Sequence, residues 1–371
     1  MRVALVHDWL TTFAGAERVL ASLLRSFPAA DLFTMFDFLP NEARGFLKGH
    51  TIYTSPLQHW PGAKRHYRKY LPFMPLLVEQ FDLSGYDLII SSSHAVAKGV
   101  LTGPGQKHIS YIHSPMRYAW DMQQQYLRQS GLERGLKSWV TRALLHYLRT
   151  WDVRSSLGPD QILANSRFVA DRIRKCYRRE AQVLYPPVSV EECPFSEQKE
   201  DYYVSVGRFV PYKRMDLLVA AFAQMPQQKL VLIGDGPAAK SLCRALPDNI
   251  THHANLDDKQ KLQLLAKAKA FIFAAEEDFG IAPVEAMACG TPVIAYGKGG
   301  ALETVRPPET SENPTGLFFR EQTVAALADA ISRFEQQAAC FRPAACRDWA
   351  RTFSEAGFQR RLLALLELEQ S

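Results

Sequence analysis

Residues 271–296 read FIFAAEEDFGIAPVEAMACGTPVIAY, and this stretch decides the fold. Phe271 to Ala275 is a short apolar run with the length and composition of a buried parallel strand. An acidic loop follows, Glu276-Glu277-Asp278, and then Phe279-Gly280-Ile281-Ala282-Pro283. Pro283 falls where the first turn of a helix tolerates a missing N–H. The spacing predicts a helix over Val284–Cys289, closed by Gly290, and a second strand over Val293–Tyr296. A loop between the carboxyl end of a strand and a helix is where open α/β sheets take their ligands.

The chemistry of that loop narrows the ligand. Free N–H groups at Gly280, Ile281 and Ala282, with the helix dipole behind them, suit an anion such as a diphosphate. Gly280 has no side chain to keep a ligand from the backbone. Glu277 lies before the helix and Glu285 is placed in its first turn, so both can face one cleft, one toward sugar hydroxyls and one toward a ribose. Either carboxylate alone is as well explained by N-terminal helix capping. The string as a whole is not.

Working outward, 371 residues allow two domains of ordinary size. A hydrophobic content of 47% with 22% charged residues describes a water-soluble globular chain. No apolar run approaches the ~18 residues of a membrane span. Met1-Arg2 leads into a short apolar run that meets His7-Asp8 at once, which predicts no signal peptide and a cytoplasmic protein. The six Cys are scattered, without Cys-x-x-Cys or a His-rich partner cluster, so neither a metal site nor a disulfide framework is expected. A net charge of +6 suits an anionic ligand or an anionic membrane surface.

Earlier in the chain, Val3 to Val6 reads as a buried strand ending at His7-Asp8-Trp9. A loop containing Gly15 leads to a helix from about Ala16 to Phe27, with Leu20, Leu23, Leu24 and Phe27 on one face. Further strands are expected at Asp31–Phe38, Asp87–Ser93 and His108–Ile112. His113 follows the last of these, before a loop containing Pro115 and Arg117. That position suits a cleft, although a lone His there more often bonds only to backbone. Residues 63–70 read AKRHYRKY. They fit a solvated basic helix face, a nucleic-acid contact, or a membrane-surface patch with Trp60 and Phe73 at the interface.

A strand at Gln161–Ser166 enters a helix over Arg167–Tyr177. The paired prolines Pro186-Pro187 exclude helix and mark a domain boundary. The division expected is 1–185, 186–345 and a helical segment 346–371. The second half opens with a strand at Tyr203–Gly207, followed by Arg208 and Lys213 around a turn. Two cations there can neutralise a diphosphate and stabilise it as a leaving group. A helix with Met215, Leu217, Leu218, Ala221 and Phe222 comes next. Leu230 to Ala239 fits G-x-G-x-x-A, a dinucleotide fingerprint. Pro237, however, removes an N–H where a pyrophosphate needs one, and the turn reads instead as pocket wall. His252 to Asp258 would close a base site ahead of a helix over Lys259–Ala268. Lys298-Gly299-Gly300 with Glu303 form another strand-end loop. A strand at Gly316–Phe319 and helices at Val324–Gln337 and Phe358–Leu368 complete the chain.

Glu277, Phe279 and Gly280, then Pro283-x-Glu285-Ala-Met-Ala-Cys-Gly-Thr-Pro-Val-Ile-Ala, resemble the retaining glycosyltransferases of the GT-B fold, family 4. The E-x7-E signature of that family falls on Glu277 and Glu285. Gly207-Arg208-x4-Lys213 resembles its second donor signature, and Gly15-Ala16-Glu17 resembles its Gly-Gly-x-Glu loop with one Gly present. The resemblance implies an α/β chain of two doubly wound Rossmann-like domains facing a central cleft, acceptor half first and donor half second, with the last helix crossing back. It implies a nucleotide-diphospho-sugar donor, no metal or other cofactor, and retention at the anomeric carbon. His113, Glu277, Arg208 and Lys213 take the catalytic roles. Gly15, Arg208, Lys213, Glu277, Phe279, Gly280, Ile281, Ala282 and Glu285 bind the donor, and Asp8 and Arg117 the acceptor.

Val6-His7-Asp8-Trp9-Leu10 and the string from Ile112 to Asp121 look like bacterial mannosyltransferases of O-antigen and exopolysaccharide assembly. That implies GDP-mannose and a lipid-linked oligosaccharide acceptor in lipopolysaccharide or other surface polysaccharide synthesis. It also implies a peripheral place at the inner face of the bacterial plasma membrane, with Lys64 to Lys69 toward anionic lipid and no nucleic acid. The alternatives are a family 4 transferase using a UDP-hexose or GDP-fucose, a dinucleotide-dependent oxidoreductase resting on Gly234 to Ala239, and a non-catalytic membrane-binding protein.

Overall fold

Apolar runs too short for helices become strands buried on both faces, and parallel neighbours joined through helices provide that burial. In the computed structural model, which describes residues 1–367, this happens twice. Residues 1–186 form one unit and Pro187 onward the other.

The first unit holds β1 (Val3–His7), β2 (Asp31–Thr34), β3 (Ile52–Thr54), β4 (Leu88–Ser93), β5 (Lys107–Ile112), β6 (Gln161–Ala164) and β7 (Gln182–Val183). They form a parallel sheet in the order β3-β2-β1-β4-β5-β6-β7. Every residue of β1 is buried. The order reverses between β1 and β4, so their exits diverge and open a crevice at the carboxyl ends. Register places His7 beside Ser92 there. The helix Gly15–Ser26 covers the sheet with Val19, Leu20, Leu23 and Leu24. A long helix, Leu136–Ser155, was not foreseen from the sequence. Its Asp152 is fully buried and meets Lys98 Nζ at 2.5 Å. Trp120 Nε1 and Tyr177 Oη also donate to it, at 2.8 and 2.9 Å. A buried charge is tolerated when it is paired and hydrogen-bonded in this way.

The second unit holds β8 (Glu200–Val206), β9 (Leu230–Ile233), β10 (Ile250–His253), β11 (Ala268–Phe273), β12 (Val293–Tyr296) and β13 (Gly316–Phe319). They run parallel in the order β10-β9-β8-β11-β12-β13, with the reversal between β8 and β11. Tyr203, Phe222, Ile272, Phe319 and Phe334 share its core. Each unit is therefore a Rossmann-like α/β layer structure, with its ligand crevice set by topology.

Several elements differ from the sequence reading. The helix after the acidic loop spans Ile281–Ala288 rather than starting at Val284. Gly280, at φ +87°, ends the loop in a backbone region that favours glycine, and the helix begins directly after it. Glu285 consequently lies in the second turn, not the first. Gly290 is left-handed at φ +81° and terminates the helix as expected. β3, β7 and β10 were not expected as strands; β10 takes up His252 and His253. The last helix spans Glu355–Glu367, and the expected end at Leu368 lies outside the described residues, as do positions 369–371.

Candidate functional site

In the second unit the crevice is walled by the exits of β8 and β11. Arg208 follows β8 and is exposed. Lys213 closes a short 3-10 turn, Pro211–Lys213. Arg214 then adopts a left-handed φ of +55°, unusual for a non-glycine residue. It is held by its own contacts, donating to Asp216 and, at 3.2 Å, to Gln322 Oε1. Gln322 in turn donates to the carbonyl of Ala274 at the exit of β11, 2.7 Å away. The two strand ends are thus tied together behind the cations. In front, Lys213 Nζ pairs with the Glu277 carboxylate. Their side chains stay 16% and 19% exposed, so water and ligands reach the pair. Gly280, Ile281 and Ala282 begin the helix, and Pro283 has no N–H to offer. Glu285 is nearly buried, with Lys261 Nζ 3.8 Å from its carboxylate. Arg208, Lys213, Glu277, Gly280, Ile281, Ala282 and Glu285 all belong to this end of one sheet.

Glycines set how close these loops come. A Cβ on Gly299 would stand 2.4 Å from the Glu277 carbonyl, and one on Gly300 would stand 2.4 Å from Phe279 Cα. The Gly300 N–H donates to the Glu277 carbonyl at 2.9 Å. The loop at 298–300 therefore buttresses the acidic loop, a role its sequence did not disclose. The same applies to the fingerprint glycines. A Cβ on Gly234 would lie 2.2 Å from the Gly207 carbonyl, and one on Gly236 would lie 2.6 Å from that of Phe209. Phe209 N–H donates to Asp235 and Ala238 N–H to Phe209. The close approach allowed by this Gly-x-Gly goes to the chain's own Arg208 loop. Phe279 needs a correction as a donor contact. Its ring is 3% exposed and packs edge-on against Phe353, so only its main chain is left for a ligand.

In the first unit Asp8 is corrected more firmly. It is wholly buried, and its two oxygens accept the N–H groups of His94, Ala95, Val96 and Ala97 at 2.6–2.9 Å. His94 Nδ1 sits 2.9 Å from the same carboxylate. Burial alone would raise the Asp8 pKa; the His94 charge and these hydrogen bonds reverse that and hold it well below the usual carboxylate range. Asp8 clamps the turn after β4 and has no lone pair left for an acceptor hydroxyl. Burial alone would lower His94; the Asp8 charge, its hydrogen bond and the Glu17 charge together reverse that and raise it.

His113 follows β5 with its backbone fixed twice, its N–H donating to Ser93 and its carbonyl accepting from Asn165 Nδ2. Its Nε2 lies 2.8 Å from Ser92 Oγ. Burial, then the neighbouring His94 and His7, push its pKa down to about 3, so the ring is neutral at ordinary pH. Gly15 opens the first helix, and Arg117 is part-buried in the turn after β5. Lys64, Arg65, Arg68 and Lys69 are exposed, on one helical turn, Ala63–His66, followed by a 3-10 turn, Tyr67–Tyr70, not on a single helix face. Beside them Trp60 packs against Tyr70 and Phe73, each pair at 5.4 Å. Among the described residues no three His, Cys, Asp or Glu side chains cluster to hold a metal, and no helix is long and apolar enough to cross a membrane.

Sequence reading missed His7, Ser92, His94 and Lys261 as site neighbours. Only strand register could have brought Ser92 to His7 and His113.

Comparison with known proteins bears on both units. Residues 13–192 match the family model of glycosyltransferase family 4, and residues 192–352 that of glycosyl transferases group 1. A GDP-mannose-dependent monoacylated alpha-(1-6)-phosphatidylinositol monomannoside mannosyltransferase of Corynebacterium glutamicum is 33% identical over 34% of this chain and 35% of its own length. The chain spans less than half the length of the first curated relatives it matches. Among solved structures, sucrose-phosphate synthase from Thermosynechococcus elongatus superposes with a TM-score of 0.74 at 20% identity, covering 99% of each chain. The Anabaena protein HepE in complex with UDP-glucose does so with a TM-score of 0.70 at 18% identity, covering 99% of this chain and 100% of its own.

Proposed function

With both halves of the chain matching glycosyltransferase family models, of which the first is family 4, we propose a retaining family 4 enzyme of the GT-B fold. It moves a hexose, mannose from GDP-mannose, onto a lipid-linked glycan in bacterial surface polysaccharide synthesis. One observation carries this reading: the Lys213–Glu277 pair stands beside the exits of β8 and β11, with the N-terminus of the helix Ile281–Ala288 and its Glu285 next in the chain. That set matches the parts of a nucleotide-diphospho-sugar.

Arg208, Lys213 and the N–H groups of Gly280 to Ala282 hold the diphosphate. Glu285 takes the ribose and Glu277 the sugar hydroxyls. The Lys213–Glu277 pair opens as the ligand enters, because a diphosphate is the stronger partner for Lys213 and sugar hydroxyls replace the ammonium at Glu277. The acceptor hydroxyl forms its bond to the anomeric carbon on the face from which the diphosphate departs. A diphosphate oxygen takes the hydroxyl proton. Charge stabilisation of the leaving group by Arg208 and Lys213 is the main catalytic contribution, and no metal is needed for it. His113 offers a ring nitrogen to a sugar hydroxyl.

The GDP-mannose dependence in the name of the Corynebacterium relative supports the donor. UDP-glucose in the HepE complex favours a second reading, a UDP-hexose. A thermal-shift screen with GDP, UDP, ADP, their sugar conjugates and NADH separates them, since a ligand of the folded state raises Tm with its concentration over Kd. A shift with GDP and GDP-mannose alone is the expected result. A shift with UDP compounds discards mannose and keeps the transferase; a shift with NADH alone overturns the reading.

The exposed Lys64, Arg65, Arg68 and Lys69 beside Trp60 and Phe73 support a place on anionic lipid. Reversing these four charges should abolish sedimentation with anionic vesicles, at about 1 kcal/mol per residue. Unchanged sedimentation would remove this surface from the proposal.

A further inference from the structure

Behind His113 lies a line of buried polar groups that the reaction as described does not use. His113 Nε2 is 2.8 Å from Ser92 Oγ, and Ser92 Oγ is 3.2 Å from His7 Nδ1. His7 Nε2 then faces a carboxylate oxygen of Glu17 at 3.6 Å, longer than a hydrogen bond but with no partner at bonding distance for that nitrogen. His7, Ser92 and Glu17 are 1%, 0% and 5% exposed. Glu17 is itself held in place by the Ala14 N–H at 2.9 Å. All three lie on elements that meet at the β1–β4 reversal.

The direction of the protons along this line follows from one end. The Glu17 carboxylate is a purely accepting charge 3.6 Å from His7 Nε2, and its field favours the hydrogen on that nitrogen. A neutral His7 then has a bare Nδ1, which accepts from the Ser92 hydroxyl. Ser92 has spent its one hydrogen, and its lone pair accepts from His113 Nε2–H. With the hydrogen on His7 Nε2 and Nδ1 bare, Ser92 and then His113 each have a single choice. We propose that Glu17, His7 and Ser92 are positioning residues that fix His113 as its Nε2–H tautomer, so that Nδ1 is presented as a hydrogen-bond acceptor. A ring held this way reads a hydroxyl, which can donate, and rejects a carbonyl or phosphate oxygen, which cannot. The use of that acceptor for a sugar hydroxyl rests on the transferase reading; the tautomer does not.

The two can be tested apart. In protein labelled with 15N at histidine, long-range proton–nitrogen spectra at pH 7 distinguish a bare from a protonated ring nitrogen. Assignment comes from comparison with His113→Gln. Wild-type His113 should show a bare Nδ1 and a protonated Nε2. Ser92→Ala removes the acceptor and should give mixed tautomers. Glu17→Gln, nearly isosteric, can turn its amide N–H toward His7 and should do the same without unfolding the helix. A wild-type Nδ1–H tautomer overturns the proposal, as does an unchanged His113 pattern in both variants, whatever the activity. If the protein transfers sugar, both variants should lose about ten- to a hundredfold in kcat, the range for partners that orient a site histidine, with KM for the donor little changed. A changed tautomer without loss of transfer would leave the relay standing and remove His113 from the reaction.

Discussion

At the carboxyl end of β1, Asp8 gives its whole acceptor capacity to the N–H groups of residues 94–97. At the carboxyl end of β11, Glu277 meets Lys213, and both stay partly exposed. The two acids occupy comparable places, each just beyond a central parallel strand at a reversal of strand order. In the first unit the loop satisfies itself and becomes rigid scaffold. In the second the pair stands at the surface of the crevice, with both side chains still in reach of water. Topology offers the same crevice twice; whether it can take an anion depends on what the local backbone has already claimed.

The largest test of this contrast is Asp8→Ala. It would strand several buried N–H donors and the His94 ring, and should cost roughly 3–5 kcal/mol of folding stability, read as a lower urea midpoint. A loss under about 1 kcal/mol would mean the clamp is not structural. Next is Arg208→Ala, which should lower transfer about a hundredfold or more, the usual result of removing one charge-stabilising group. Its stability should stay within about 0.5 kcal/mol, because the side chain is exposed. Matched losses in both quantities would erase the distinction between the two ends. Glu277→Gln should destabilise the ligand-free protein by no more than about 1 kcal/mol, as for other water-accessible ion pairs. A larger loss would make that pair scaffold too.

The dependence on pH sharpens the comparison further. His113 and His108 have folded pKa values lowered to about 3 and about 4. Below about 6.5 the unfolded chain takes up protons that these folded rings refuse, so stability falls as pH drops from there. Asp8 is also depressed, so its contribution is complete above about 4 and is lost as pH falls further toward its folded value. His94 works in the opposite sense: being raised, it stabilises below about 6.5 and ceases to as pH rises through its folded value. His113→Gln should roughly halve the slope of the stability profile between about pH 6.5 and 4, leaving the His108 share and the more acidic Asp8 limb in place. An unaltered profile would mean that His113 charges freely in the folded protein.

The parallel α/β architecture could be read from apolar runs alternating with helical spacing, and the turn from β11 into the next helix from Gly280 and Pro283. What escaped has physical causes. Short edge strands such as β3 and β7 carry too few apolar residues to register. The burial of Asp8 follows from four N–H groups nearly ninety positions away, which no local pattern displays. The helix start moved because the backbone of Gly280, not the proline, sets it. Gly234 and Gly236 have the spacing of a dinucleotide loop, yet the space they leave is filled by residues 207–209. Sequence shows that a backbone needs room, not what occupies it.

The division at Pro186–Pro187 also has a consequence for how the chain comes into being. Among the described residues each sheet is built from one unbroken stretch of sequence, and no strand of the first is supplied by the second. On a ribosome adding ~5–20 residues per second, the first unit is complete roughly ten to forty seconds before the last residue of the second is added. Its sheet can close in that interval without waiting for its neighbour. Asp8 and its four partners, all within the first hundred residues, are in place early enough to organise it.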